Sequence, residues 1–145
     1  MTFEQIRIKT SEKTGLHDIT SQVKKIVASS GTENGMCLVY CPHTTAGITI
    51  NEAADPSVQE DILKELNKVI PFSDGYSHGE GNSAAHIKSS LVGCSETVPI
   101  HNGKLVLGTW QGIYFCEFDG PRSRSVYVSL GCAPKIGGAA KDRDD

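Results

Sequence analysis

The Asn102-Gly103 pair constrains this chain more than any other feature. Both residues tolerate positive φ, which the tightest two-residue β-turn demands and whose twist suits the strands on either side. The pair joins TVPIH (97–101) to KLVLG (104–108), and two further β-rich runs follow, QGIYFCEF (111–118) and SVYVSL (125–130). Asp119-Gly120-Pro121 connects those two runs with turn-forming residues. The C-terminal half is therefore read as four strands.

Helical signals are confined to the first two thirds. FEQIRIKT (3–10) alternates apolar and polar residues through Ile6 and Ile8, as a half-buried strand does. Thr20 is read as the N-cap of a short helix with Val23, Ile26 and Val27 on one face, stopped near Gly31. A strand MCLVYC (36–41), the break Pro42-His43-Thr44-Thr45 and a second apolar run, Ile48 to Ile50, come next. Asp55 followed by Pro56 is a good helix start, because proline lacks the N–H that would go unpaired there. Val58, Ile62, Leu66 and Val69 then fall on one stripe, and Pro71 ends it. After the loop PFSDGYSHGEGN (71–82), Asn82 or Ser83 caps a short helix, SAAHIKSSLVG, closed by Gly93. Strands grouped beyond two main helices and one short one predict an α+β domain on mixed or antiparallel sheets, not a βαβ alternation. The reading is one domain over 1–131, with 132–145 expected to fray as a small, polar tail.

Charge and cysteine usage narrow the partners. A net charge of -3 across 145 residues, with no basic stripe, argues against nucleic acid held by bulk electrostatics. No stretch approaches a membrane span or a signal peptide's apolar core. Five cysteines without CxxC spacing are read as reduced thiols in a cytoplasmic setting.

Three histidines stand beside turn-forming or polar residues: His43 at a strand end, His78 in the glycine-rich loop and His86 in the short helix. Three neutral imidazoles with an open fourth position make a hydrolytic or Lewis-acid metal site, while each taken singly also suits a hydrogen-bonded structural role. His17 and His101 read as surface residues. Glu80, two residues after His78, could be a ligand, a partner that orients one, or a general base; a solvated loop charge is the plainer reading. Asn51-Glu52 ends an apolar strand where a side chain can point into a cleft. Lys88, Ser89 and Ser90 with Arg122 and Arg124 form a set suited to phosphate, although the two arginines could equally be edge-strand charges. Trp110 and Gln111, in a glycine-flanked turn, could wall a ligand pocket or a subunit interface.

Together, His43-Thr44-Thr45, Ile48-Thr49-Ile50-Asn51-Glu52, Asp55-Pro56, Gly79-Glu80-Gly81-Asn82 and His86-Ile87-Lys88-Ser89-Ser90-Leu91 resemble the YjbQ-like family. Gly108-Thr109-Trp110-Gln111, Glu117, Asp119-Gly120-Pro121-Arg122 and Arg124 extend the resemblance to about residue 131. The resemblance implies a compact, sandwich-like α+β domain assembling as a homotrimer. It also implies a divalent metal ion, zinc or magnesium, on His43, His78 and His86. Some members carry a secondary thiamine-phosphate synthase label, which joins a pyrimidine diphosphate to a thiazole phosphate and expels pyrophosphate. On that expectation Glu52, Glu80, Lys88 and Arg122 are the catalytic candidates. Asn51, Ser89, Ser90, Trp110, Gln111 and Arg124 are then the contacts to a small phosphorylated molecule. Hydrolysis of a phosphorylated or acyl compound and a non-catalytic metal-binding module are the alternatives.

Overall fold

A computed structural model describes residues 2–132; all of the expected tail beyond Cys132 lies outside them. Eight strands and three helices follow in the order β1 (Thr2–Lys9), β2 (Gly15–Asp18), α1 (Thr20–Ser30), β3 (Gly35–Tyr40), β4 (Ala46–Glu52), α2 (Pro56–Val69), α3 (Ser83–Val92), β5 (Ser95–His101), β6 (Lys104–Leu105), β7 (Gln111–Glu117) and β8 (Ser123–Cys132). The expected α+β class holds. Of the two sheet types expected, the antiparallel one is found at every pairing.

The strands form two sheets, one of five in the order β1-β8-β3-β5-β6 and one of three in the order β2-β7-β4. Alternation along β8 sends Val126, Val128 and Leu130 inward, where they meet Val39 and Cys37 of β3 and Ile48, Ile113 and Phe115 of the smaller sheet. Helix α1 adds Val23 and Val27 to that core. The other side of the smaller sheet is covered by helices: Tyr114, Cys116 and Phe118 pack with Ala85 and Val92 of α3 and Leu66 of α2. Nothing among the described residues covers the outer side of the five-stranded sheet in the same way. Phe3, Met36, Leu38 and Tyr40 stand exposed there.

Turn chemistry behaves as its residues predict. Asn102 and Gly103 take φ of 51° and 75°, joining β5 to β6. Asp55 caps α2, its Oδ1 accepting from the Ser57 amide at 2.9 Å. Two expectations at helix ends are corrected. Thr20 is the first residue of α1, not its cap; Ile19 holds the cap position without a side-chain bond, and Asp18, one residue earlier, accepts the Thr20 amide through Oδ1 at 2.9 Å. Val69 is exposed because the last turn of α2 aims Asn67 inward instead, toward Lys88.

Candidate functional site

His43 follows β3 at the point where its backbone leaves the sheet, and its ring folds back onto β8. Nε2 accepts the Ser125 backbone N–H at 2.9 Å. That bond uses the Nε2 lone pair, so the neutral ring carries its proton on Nδ1. Burial, and then the nearby Arg124 guanidinium, push the His43 pKa below its usual 6.5 despite the Glu117 carboxylate. His43 is therefore a neutral donor through Nδ1–H, and as placed it has no free lone pair for a metal.

Helix α3 supplies His86. A cleft of about 510 Å³ is lined by His43, Thr44, His86, Ser89, Ser90 and Cys94 among others. A second, of about 430 Å³, is lined by Tyr76, Ser77, His78, Ser83, His86 and Ile87. His86 thus belongs to both, with His43 on one side and His78 on the other. The His78 and His86 rings meet edge to face at 5.6 Å between centroids, and Glu80 lies 3.8 Å from His78 Nε2. Among the described residues, no three histidine, cysteine, aspartate or glutamate side chains converge as a ligand set. The chain brings the three histidines into one neighbourhood but not onto one point.

Close packing of α3 against β4 fixes this arrangement. The Ile48 amide donates to Gly93 O at 3.0 Å, and a Cβ at Gly47 would fall 2.6 Å from that same oxygen. Only glycine at position 47 lets the helix end come so near. Two hydroxyls of α3 are spent internally: Ser89 Oγ donates to Ala46 O at 2.6 Å, and Ser90 Oγ to His86 O at 3.1 Å. Each has a single proton, so neither is free to donate to a phosphate in this arrangement.

The expected cations are mostly engaged elsewhere. Lys88 is turned away from the cleft and is 0% exposed; its Nζ donates to Asn67 Oδ1 at 2.7 Å and sits 3.9 Å from the Phe72 ring centroid. Burial and the neighbouring Lys13 lower its pKa. Arg124 is equally internal. Its Nε donates to Glu117 Oε2 at 2.8 Å and Nη2 to Thr45 Oγ1 at 2.9 Å, in a bidentate pair with the fully buried Glu117. Arg122 alone is exposed, held by Asp119 through Nη2 at 3.0 Å; Asp119 also accepts from Asn82 Nδ2 at 3.0 Å. That chain of bonds ties the β7–β8 turn to the start of α3, four residues before His86.

Asn51, Glu52, Trp110 and Gln111 gather at a different place. Glu52 pairs with Gln111 and Asn51 with Gly112, whereas Ala46, next to the histidine cleft, pairs with Glu117. Six residue steps of β4 separate the two ends, about 20 Å at 3.3 Å per residue. Trp110 is 63% exposed, and Gln111 Oε1 accepts from the Gly108 amide at 2.8 Å, closing the turn. Sequence reasoning missed Thr10, Thr45 and Cys94, and it did not select Glu117 as a candidate. A glutamate inside the apolar run GIYFCEF was the available signal, since a buried carboxylate needs a partner. Thr45 stood in the His43-Thr44-Thr45 motif without an assigned role, and no comparable signal marked Thr10 or Cys94.

A family profile described as "UPF0047 protein YjbQ-like" matches residues 4–131. Among its relatives, UPF0047 protein YugU of Bacillus subtilis is 52% identical, covering 86% of this chain and 96% of that protein. UPF0047 protein MJ1081 of Methanocaldococcus jannaschii is 55% identical, covering 86% and 90%. The crystal structure of an uncharacterised YjbQ/UPF0047 protein from Clostridium acetobutylicum superposes with a TM-score of 0.87 at 58% identity, covering 88% of this chain and 99% of that one. A Sulfolobus solfataricus protein of unknown function gives 0.88 at 37% identity, covering 91% and 97%. Identity at this level over nearly the whole domain, with the same fold, means that the chain belongs to the YjbQ-like UPF0047 family.

Proposed function

We propose that the chain is a cytoplasmic, divalent-metal-binding enzyme acting on a small phosphorylated molecule at the His86 clefts. Formation of thiamine phosphate is the reaction to assay first. The observation that carries this reading is the position of His86, shared by two clefts, with His43 in one and His78 in the other. His43 contributes a neutral Nδ1–H, suited to donating to a phosphate oxygen. His78 and His86 would hold the ion; their rings meet edge to face at 5.6 Å between centroids. A third donor would come from another copy in a homotrimer, a state favoured by the apolar outer side of the five-stranded sheet, which no described residue covers. The ion would neutralise charge on a phosphoryl group, a task that internal Lys88 and Arg124 cannot share as they are placed. Glu80 beside His78 supports hydrolysis as the second reading, with the carboxylate as base.

The test is metal content of the purified protein beside His43→Ala, His78→Ala and His86→Ala, each checked for folding by circular dichroism. About one ion per chain should be present in the wild type and in folded His43→Ala, and be lost from the other two. His43→Ala should keep the ion yet lose turnover of the pyrimidine and thiazole precursors. A wild type that takes up no ion after reconstitution sinks the metal reading. An ion that survives chelators, with no turnover of any phosphate ester, would make the chain a binding module.

A further inference from the structure

The cleft contains a thiol pair that the proposed chemistry does not use. Strands β3 and β5 pair in a register that runs from Gly35↔Ile100 to Tyr40↔Ser95, and one step further sets Cys41 opposite Cys94. The ladder itself ends at Tyr40↔Ser95, and one backbone bond just beyond it still joins the two cysteines, the Cys41 amide donating to Cys94 O at 2.7 Å. Directly opposed residues of an antiparallel pair project to the same side of the sheet, with Cα atoms about 5.5 Å apart at a hydrogen-bonded position. Disulfides form across Cα separations of about 4.4–6.8 Å. Both residues line the cleft that holds His43 and His86; Cys94 is exposed and Cys41 is buried.

We propose that Cys94 is an oxidant-sensitive thiol and that Cys41 resolves it, forming a reversible disulfide across the wall of the histidine cleft. The co-reactant is a hydroperoxide. The Cys94 thiolate attacks the peroxide O–O bond, giving a sulfenic acid and releasing water or an alcohol. The Cys41 sulfur then displaces hydroxide from that sulfenic sulfur; with the Cys41 proton it leaves as water. Two thiols are oxidised and one peroxide is reduced. The other buried thiols, Cys37 and Cys116, are not among the residues that line this cleft; burial raises the pKa of both, as it does that of Cys41, which leaves exposed Cys94 as the attacking thiol. Opposed Cβ atoms at a hydrogen-bonded pair lie about 4.5–5.5 Å apart, wider than the usual disulfide span of about 3.8 Å. The bond would be strained, and strained disulfides are the easily reduced ones. Its formation would tether the segment carrying His43 to the turn that follows the helix carrying His86. This proposal stands whether or not the cleft binds a metal.

The folded, full-length protein is exposed to a slight excess of hydrogen peroxide, blocked with an alkylating reagent, and digested for mass spectrometry. The expected product has lost two hydrogens and two of its five alkylatable thiols, with the loss mapped to a Cys41–Cys94 cross-link that dithiothreitol reverses. Cys94→Ser, a change at an exposed position, should abolish the cross-link, and Cys132→Ser should leave it intact. Any of three results overturns the proposal: no thiol consumed, Cys94 driven to sulfinic acid without a cross-link, or oxidised material found only as Cys94–Cys94 dimers between chains.

Discussion

His43 accepts a backbone N–H through the nitrogen that would otherwise be free, and burial holds its pKa below 6.5. The unfolded chain therefore binds this proton more tightly than the folded protein does. Stability from this group is complete above pH 6.5, declines as the pH falls below it, and levels off past the lowered folded value. NMR titration should give His43 a midpoint below 6.5, and His43→Gln should flatten the stability profile just below that pH. Glu117 behaves in the same sense, in a more acidic window. Burial by itself would raise its pKa, but bonds from Arg124, the Asp119 amide and Thr10 hold it below the usual carboxylate value, so its stabilisation is lost only in acid. Glu117→Gln leaves Arg124 charged and uncompensated inside the protein and should cost about 3–5 kcal/mol by urea denaturation. Replacing both partners, Glu117→Leu with Arg124→Met, should recover most of that loss. These contacts explain what the sequence could show of the site. The imidazoles were legible because histidines beside turns stand out. The internal fate of Lys88 and Arg124 was not, because only the fold reveals that Asn67 and Glu117 wait for them.

Elements were legible wherever local chemistry and tertiary packing agreed. The Asn102-Gly103 turn and the Asp55-Pro56 start of α2 need only their own residues, and both occur where expected. Strand β2, only four residues long, carries no alternation that the sequence could display; its pairing with β7 makes it a strand. The start of α1 differs by one residue from the expected one, because Thr20 and Asp18 can each accept from an exposed helix N–H and the cap position falls on Ile19 between them. Asp18 serves, receiving both the Thr20 amide and its hydroxyl. Asp18→Ala should therefore destabilise the protein by about 1 kcal/mol in a denaturant titration. If Thr20 were the cap, that substitution would leave the midpoint unchanged.

At the scale of the molecule, one side is covered and, among the described residues, the other is bare. Helices α2 and α3 cover the smaller sheet, while β3 and β8 turn Met36, Leu38, Tyr40, Ser125, Tyr127 and Ser129 outward without a charge among them. Charge depletion of this kind marks the centre of subunit interfaces. If the homotrimer is built on this surface, Leu38→Asp should reduce the mass in light scattering from three times 15.5 kDa to a single chain. An unchanged mass would place the interface elsewhere. No helix among the described residues is long and apolar enough to cross a membrane. The sheet order holds a further consequence. Strand β8 lies between β1 and β3, and Thr2 pairs with Leu130 across nearly the full length of the chain. During synthesis β1 and β3 emerge early and have no shared neighbour until the final strand leaves the ribosome. The large sheet must then assemble at the end, around its last-made member. Pairing over such separations is slow, so the nascent chain spends most of its synthesis with two unpaired strand edges, the interval in which a chaperone would matter most.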